Sequence, residues 1–144
     1  MIFHEEPADF KSKFDVVSCF IINAGKTLFI RRSTQKPQGG TWGIPAGKIE
    51  KDEDGVSAVL REVSEETGIR LEKNAVKYFK TLFVRYPSYD FKYYMYSCES
   101  DILPTVEIDP NSHTEFCWLS PQDALKLDLI QDEDYCIKLF FNIN

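Results

Sequence analysis

Apolar positions along the 144-residue chain fall into alternating runs and one helical stripe. Residues 14–22 (Phe-Asp-Val-Val-Ser-Cys-Phe-Ile-Ile) and 27–32 (Thr-Leu-Phe-Ile-Arg-Arg) are rich in β-branched and aromatic side chains, so both read as strands. Asn23-Ala24-Gly25 between them supplies a turn and makes the pair a hairpin. Residues 33–40 are polar and contain Pro37 and Gly39-Gly40, the signature of a loop. Trp42-Gly43-Ile44-Pro45 is at best a short strand, and residues 46–53 read as a loop that feeds a helix. In that helix Val56, Val59, Leu60 and Val63 keep the i, i+3, i+4, i+7 spacing of a core-facing stripe. Asp52 or Asp54 is placed to cap its start, and Thr67-Gly68 ends it.

Beyond the helix, Val76–Arg85 and Phe91–Cys98 predict a second antiparallel pair around a turn at Pro87-Ser88. Period 2 puts Phe91, Tyr93 and Met95 on one side of their strand and Tyr94 and Tyr96 on the other, with one set expected in the core. Residues 115–119 read as a further strand. Ser120-Pro121 opens a capped helix, and residues 132–141 predict a C-terminal one. Strands and helices in this mixed order fit an α/β sandwich rather than a doubly wound sheet.

Composition narrows the class. The length suits a single domain over 1–144, and 43% hydrophobic with 14% aromatic residues fits a packed core. A net charge of −6 argues against binding nucleic acid through bulk electrostatics, although bound metal ions can invert a local field. The first residues lack a basic region followed by an apolar run, so a secretory signal is not expected. No run approaches the ~20 apolar residues of a membrane span. Cys19, Cys98, Cys117 and Cys136 are scattered, without C-x-x-C and with only two histidines in the chain. A zinc site is therefore not expected, and reduced thiols in the cytoplasm are.

The chemistry concentrates on the striped helix. At about 100° per residue Glu62, Glu65 and Glu66 share one arc beside the apolar stripe. Glu62 with Glu66 and Glu62 with Glu65 are like-charge pairs at i,i+4 and i,i+3, each opposing the helix by roughly 0.2–0.5 kcal/mol. Glu65 and Glu66 also occupy the last turns, where the helix dipole favours cations. Hard divalent cations, which take carboxylate oxygens, would offset that repulsion.

The full spacing here is G-x5-E-x7-R-E-U-x-E-E-x-G-U with U aliphatic, running from Gly47 through Glu53, Arg61-Glu62-Val63 and Glu65-Glu66 to Gly68-Ile69. It resembles the Nudix box at every fixed position. At average residue usage such a match arises by chance at roughly one position in several hundred million. The resemblance extends over nearly the whole chain and implies an α/β/α sandwich around a mixed sheet. It implies that Glu62, Glu65 and Glu66, with the main-chain carbonyl of Gly47, hold Mg²⁺, which Mn²⁺ can replace. It also implies that Arg61 and Glu53 hold the acidic cluster in place by ion pairing. The residues alone leave that open against a structural salt bridge, because Glu53 lies before or at the helix start. Glu115 stands in a Glu-x-x-Trp arrangement that recurs in the family, where it serves as base or extra ligand; a plain strand-end charge is the alternative.

Arg31, Arg32 and Lys48 are candidates to meet phosphates. Tyr86 and Tyr94, with Tyr89 and Tyr96, are candidates to stack a base. His113 reads as a loop residue rather than a catalyst. The implied function is Mg²⁺-dependent hydrolysis of a small-molecule nucleotide, a nucleoside diphosphate linked to another group, by water attack on phosphorus. No Ser or Cys stands beside a base as an obvious nucleophile. Residues 40–50 resemble the segment of the nucleoside-triphosphate-sanitising branch. They depart from it at Ala46, where Gly is usual, and at Gly43, where bulkier residues are. The coenzyme A branch is matched only in part by Arg32-Ser33, and the isomerase relatives need a Cys-Ser-His setting that is absent. A ligand sensor of the same fold is the alternative of another class, but such domains typically lose box carboxylates and this chain keeps them all.

Overall fold

The computed structural model describes residues 1–144. Eight strands form one mixed sheet: β1 (Ile2–Phe3), β2 (Ser12–Asn23), β3 (Lys26–Arg32), β4 (Trp42–Gly43), β5 (Ala46–Lys48), β6 (Lys77–Tyr86), β7 (Tyr89–Glu99) and β8 (His113–Leu119). The main path runs β1-β6-β7-β2-β3-β4, with β5 added to β2 and β8 to β3. Two of the antiparallel pairs are hairpins. β2 and β3 meet across Asn23↔Lys26, and β6 and β7 meet across Tyr86↔Tyr89 with Pro87-Ser88 as the turn. The central pair β2·β7 is parallel from Ser12↔Asp90 to Ile22↔Glu99.

Helix α1 (Gly55–Thr67) covers one face and helices α2 (Pro121–Ala124) and α3 (Glu133–Phe141) the other. Of the two candidate caps of α1, Asp54 is the one that caps it, its carboxylate accepting from the Ser57 N–H at 2.8 Å. Gly68 takes φ 73, a left-handed geometry that favours glycine, and donates to the Ser64 carbonyl at 2.9 Å. Val59 and Val63 then pack against Val17, Cys19, Ile21, Leu28 and Ile30. On the opposite face Phe20, Phe29, Leu82 and Met95 pack against Cys136 and Ile137 of α3. Both faces of the sheet are therefore core. This corrects the expectation for β7, where Met95 is buried under α3 and Tyr96 under α1. The four cysteines are free thiols. No helix is long and apolar enough to cross a membrane.

Three further differences from the sequence-based expectations share one cause: pairing with distant residues decides them. β1 forms because Ile2 and Phe3 add to the edge of β6 at Val84 and Phe83. Ala46–Lys48 is a strand rather than a loop, since it pairs with Ser18–Val16 of β2. His113 opens β8 against Arg32 and is buried, not a loop residue.

The hairpin partners β2 and β3 pair only at Ile22↔Thr27 and Asn23↔Lys26, next to their turn. From there they diverge, β2 taking β5 and β3 taking β4 and β8. Residues 42–48 bridge the wedge, and the Cys19 N–H donates to the Pro45 carbonyl at 3.0 Å to hold them. The C-terminal end of α1 comes up against this bridge at the mouth of a cleft.

Candidate active site

The wedge encloses a cleft of about 570 Å³, in the range of small-molecule sites. Its walls come from Phe14 and Val16 of β2, Ile30 and Arg32 of β3, the 43–48 bridge, Tyr86 to Tyr93 of the β6–β7 hairpin, and residues 130–133. Glu66 is the one box glutamate in the lining, with Gly47 and Lys48 beside it.

Two contacts fasten the carboxylates of α1 to the bridge. The Ala46 N–H donates to Glu66 Oε1 at 2.9 Å. At Gly47 the Glu62 carboxylate occupies the space that a Cβ would need, so any larger residue must push that carboxylate aside. Burial pushes Glu66 up to about 8; the Ala46 N–H pulls it down and Glu62 pushes it further up. Glu62 is raised by the same burial, against its hydrogen bonds to Arg61.

Arg61 organises the rest. Its Nε and Nη2 form a fork on Glu53 at 2.8 and 2.9 Å. Nη1 reaches Glu62 at 2.7 Å and Glu65 at 3.3 Å, and Nη2 also donates to the Lys48 carbonyl at 2.9 Å. Glu53 in turn accepts from the Glu50 N–H at 3.0 Å. These bonds to Arg61 and Glu50 hold Glu53 down at about 2. One guanidinium thus ties the loop before α1, the end of β5 and two helix carboxylates into a unit. Three acidic, His or Cys side chains do not stand together in a ready chelating set. As arranged, Glu62 and Glu65 turn toward Arg61 while Glu66 turns toward the Ala46 amide.

The other sequence candidates divide. Arg32, Lys48 and Tyr86 line the cleft. Arg32 anchors its Nε on the Pro37 carbonyl at 2.8 Å, and the Lys48 ammonium lies 4.3 Å from the Phe14 ring centroid. Arg31 and Tyr94 do not line it. Alternation along β3 sends Arg31 to the face away from α1, where it pairs with Glu115 at 2.9 Å and donates to the Gly40 carbonyl. Glu115 is thereby tied to Arg31 outside the cleft. Tyr94 packs on the α1 side of β7.

Two lining residues stand outside the sequence candidates. His113 is buried beside Arg32, and desolvation followed by that positive charge holds its imidazole down at about 4, so it is neutral. Ser112 Oγ meets its Nδ1 at 2.8 Å. Glu133, the first residue of α3, is buried in the wall of the cleft and accepts from the Ile44 N–H at 3.0 Å. Neither carried a signal in sequence: one is a lone histidine, the other one acid among Asp132, Glu133 and Asp134.

Residues 13–140 match the family model described as NUDIX domain. Over 55 residues the chain is 42% identical to the CTP pyrophosphohydrolase of Escherichia coli (strain K12), an alignment covering 38% of this chain and 41% of that protein. The chain thus spans about two-fifths of the length of this relative. Among solved structures, the E. coli ORF135 protein superposes with a TM-score of 0.76 at 26% identity, covering 96% of this chain and 95% of that one. The NUDIX domain of Shewanella oneidensis NrtR, solved with ADP ribose, gives 0.78 at 22% identity over 96% and 92%. At that identity the second likeness speaks to the fold alone.

Proposed function

The chain belongs to the Nudix family, and on that basis we propose that it is a divalent-cation-dependent pyrophosphohydrolase acting on a nucleoside diphosphate linked to another group. The observation that carries this reading is the packing of the Glu62 carboxylate against Gly47 beside the Glu66–Ala46 bond, at the edge of the cleft. The two contacts bring carboxylates to the backbone at Ala46 and Gly47, and carboxylate and carbonyl oxygens are the donors that Mg²⁺ and Mn²⁺ take. The donors fit such an ion on a second count. Burial raises both Glu62 and Glu66, Glu62 pushes Glu66 further up and Glu65 pushes up both, a cost that a nearby positive charge relieves. Glu62, Glu65, Glu66 and the Gly47 carbonyl would hold the cation. When bound it would supply charge neutralisation on phosphoryl oxygens.

The chain's own residues do the rest. Arg61 keeps Glu62 and Glu65 of α1 in register with β5 and ties Glu53 of the preceding loop to them, so the helix carboxylates are fixed by a rigid helix and strand. Arg32 and Lys48 line the cleft together with Lys13 and would meet phosphate oxygens there. Tyr86 and its neighbours Tyr89 and Phe91, with ring centroids 5.7 and 5.3 Å from it, offer an aromatic wall for a base. Glu66 is the α1 carboxylate that reaches the cleft, and it must be ionised to hold the cation there. Water attacking in line on phosphorus needs positioning and charge neutralisation, which this arrangement provides. The likeness to a CTP pyrophosphohydrolase supports a nucleoside triphosphate as the first substrate to try.

The test is a panel of nucleoside di- and triphosphate derivatives assayed with Mg²⁺ or Mn²⁺. The expected result is a nucleoside monophosphate with pyrophosphate or a phosphorylated leaving group. Failure of every compound to turn over with either metal would overturn the reading.

A further inference from the structure

Strand β2 carries one residue more than its partner can match. Ser12 pairs with Asp90 and Phe14 with Phe91, so Lys13 lies in a β-bulge, an irregularity that re-aims a side chain. The bulge is fastened on both strands. Ser12 Oγ bonds the Phe14 carbonyl and Asp15 Oδ1, each at 2.8 Å, and accepts from the Lys92 N–H at 3.3 Å. Across from it, Asp90 accepts from the Lys11 N–H at 3.0 Å and from Arg85 Nε at 2.9 Å. Lys13 is exposed, yet the bulge sets it in the lining of the cleft. Its ammonium lies 5.4 Å from the Tyr89 ring centroid and has no carboxylate partner, in a chain with 23 acidic residues.

That ammonium is kept apart from the carboxylates of α1. Gly47 pairs with Val17, four residues along β2 from Lys13 and hence about 13 Å away along the strand. Tyr89 stands next to the β6–β7 turn, so its ring holds the ammonium at the hairpin end of the cleft. The rings there belong to the aromatic wall. Tyr89 lies 5.7 Å from Tyr86 and 5.4 Å from Phe14, which stacks on Phe91 at 5.6 Å. Lys48 differs, since it follows Gly47 directly and rests on Phe14. A nucleotide with its diphosphate at Gly47 and its base on these rings has its nucleoside end, rather than its leaving group, at Tyr89. Resting on the nucleotide reading above, we propose that Lys13 and Tyr89 form an outer anion subsite. It takes a phosphate ester on the ribose of the substrate, outside the scissile diphosphate.

The side chain suits that task. An ammonium is a compact point charge with rotatable donors, and it meets a phosphate without demanding one bidentate geometry. Its contact with an exposed ring is weak, so a phosphate can take the ammonium over while the ring limits where it goes.

Lys13→Met, Lys13→Arg and Ser12→Ala test this by calorimetry without metal. The probes are cytidine and adenosine 5′-monophosphates, their 3′,5′-bisphosphates, and inorganic pyrophosphate. The wild type should bind a bisphosphate about tenfold more tightly than the matching monophosphate, the worth of one charged hydrogen bond. In Lys13→Met that ratio should fall to near one, and Lys13→Arg should restore most of it. Ser12→Ala keeps the charge but unfastens the bulge, and should shrink the ratio as well. A wild type that does not discriminate, or a Met variant that still does, overturns the inference. So does a Met variant in which pyrophosphate binding alone is weakened, because Lys13 then serves the leaving group. If no nucleotide binds and none is turned over with metal, the nucleotide reading itself fails.

Discussion

Glu66 carries a cost that the fold does not need. Its carboxyl is raised from near 4.5 to about 8 in the folded, metal-free chain, so the folded state binds a proton that the unfolded state has already released. Stability from this group is therefore undiminished below about pH 4.5, falls as pH rises toward 8, and levels off above. Glu66→Gln should raise the melting temperature at pH 8 by on the order of 5 °C, with the gain vanishing near pH 4. The same substitution should cut metal-dependent turnover by at least about 100-fold, since loss of a ligand exceeds the loss of a ligand's support. Thermal melts across pH, paired with steady-state rates, check both; a variant that unfolds yet keeps its activity per folded molecule would make Glu66 structural. At this scale the sequence was legible where residue type and spacing suffice, as in setting Glu62, Glu65 and Glu66 together on one helix. It was silent where register decides. Arg31 and Arg32 are adjacent and alike in sequence, yet alternation along β3 sends only Arg32 into the cleft. Glu133 differs from Asp132 and Asp134 only through an amide 89 positions away.

At the scale of elements, β5 and α1 act as one body because Arg61 and the Gly47–Glu62 contact lock them together. Gly47→Ala should displace the Glu62 carboxylate and lower kcat by about 100-fold, as misplacement by an ångström does. Helix content by circular dichroism should be unchanged. Retention of wild-type kcat would show that the contact is incidental. Arg61→Lys keeps the charge but loses the fork on Glu53 and the reach to Glu62, Glu65 and Lys48. It should cost about 1–3 kcal/mol in urea melts, because a single ammonium cannot satisfy four partners. A variant as stable as wild type would mean that the web contributes nothing. The α1 boundaries were readable from Asp54, the valine stripe and Gly68, all local signals. Strand β5 was not, because Ala46-Gly47-Lys48 has no strand composition and exists as one only through β2.

The whole molecule turns a mixed sheet into a site by letting two hairpin partners part company. The hairpins were visible in the alternation, but the parallel β2·β7 pairing and the wedge between β2 and β3 depend on long-range register that no local pattern encodes. With saturating Mg²⁺ the rate should rise toward alkaline pH and peak above 7, since the attacking water must lose a proton and the metal-binding carboxylates must be ionised. A peak below pH 6 would contradict that. The sharpest single measurement is hydrolysis of a nucleoside triphosphate in ¹⁸O-water, followed by ³¹P NMR across a titration from excess Mg²⁺ to excess chelator. Cation-dependent attack of water on phosphorus should leave ¹⁸O on phosphorus in one product and lose turnover as the free cation is removed. Full turnover in chelator, or products whose phosphorus carries no label, would contradict it.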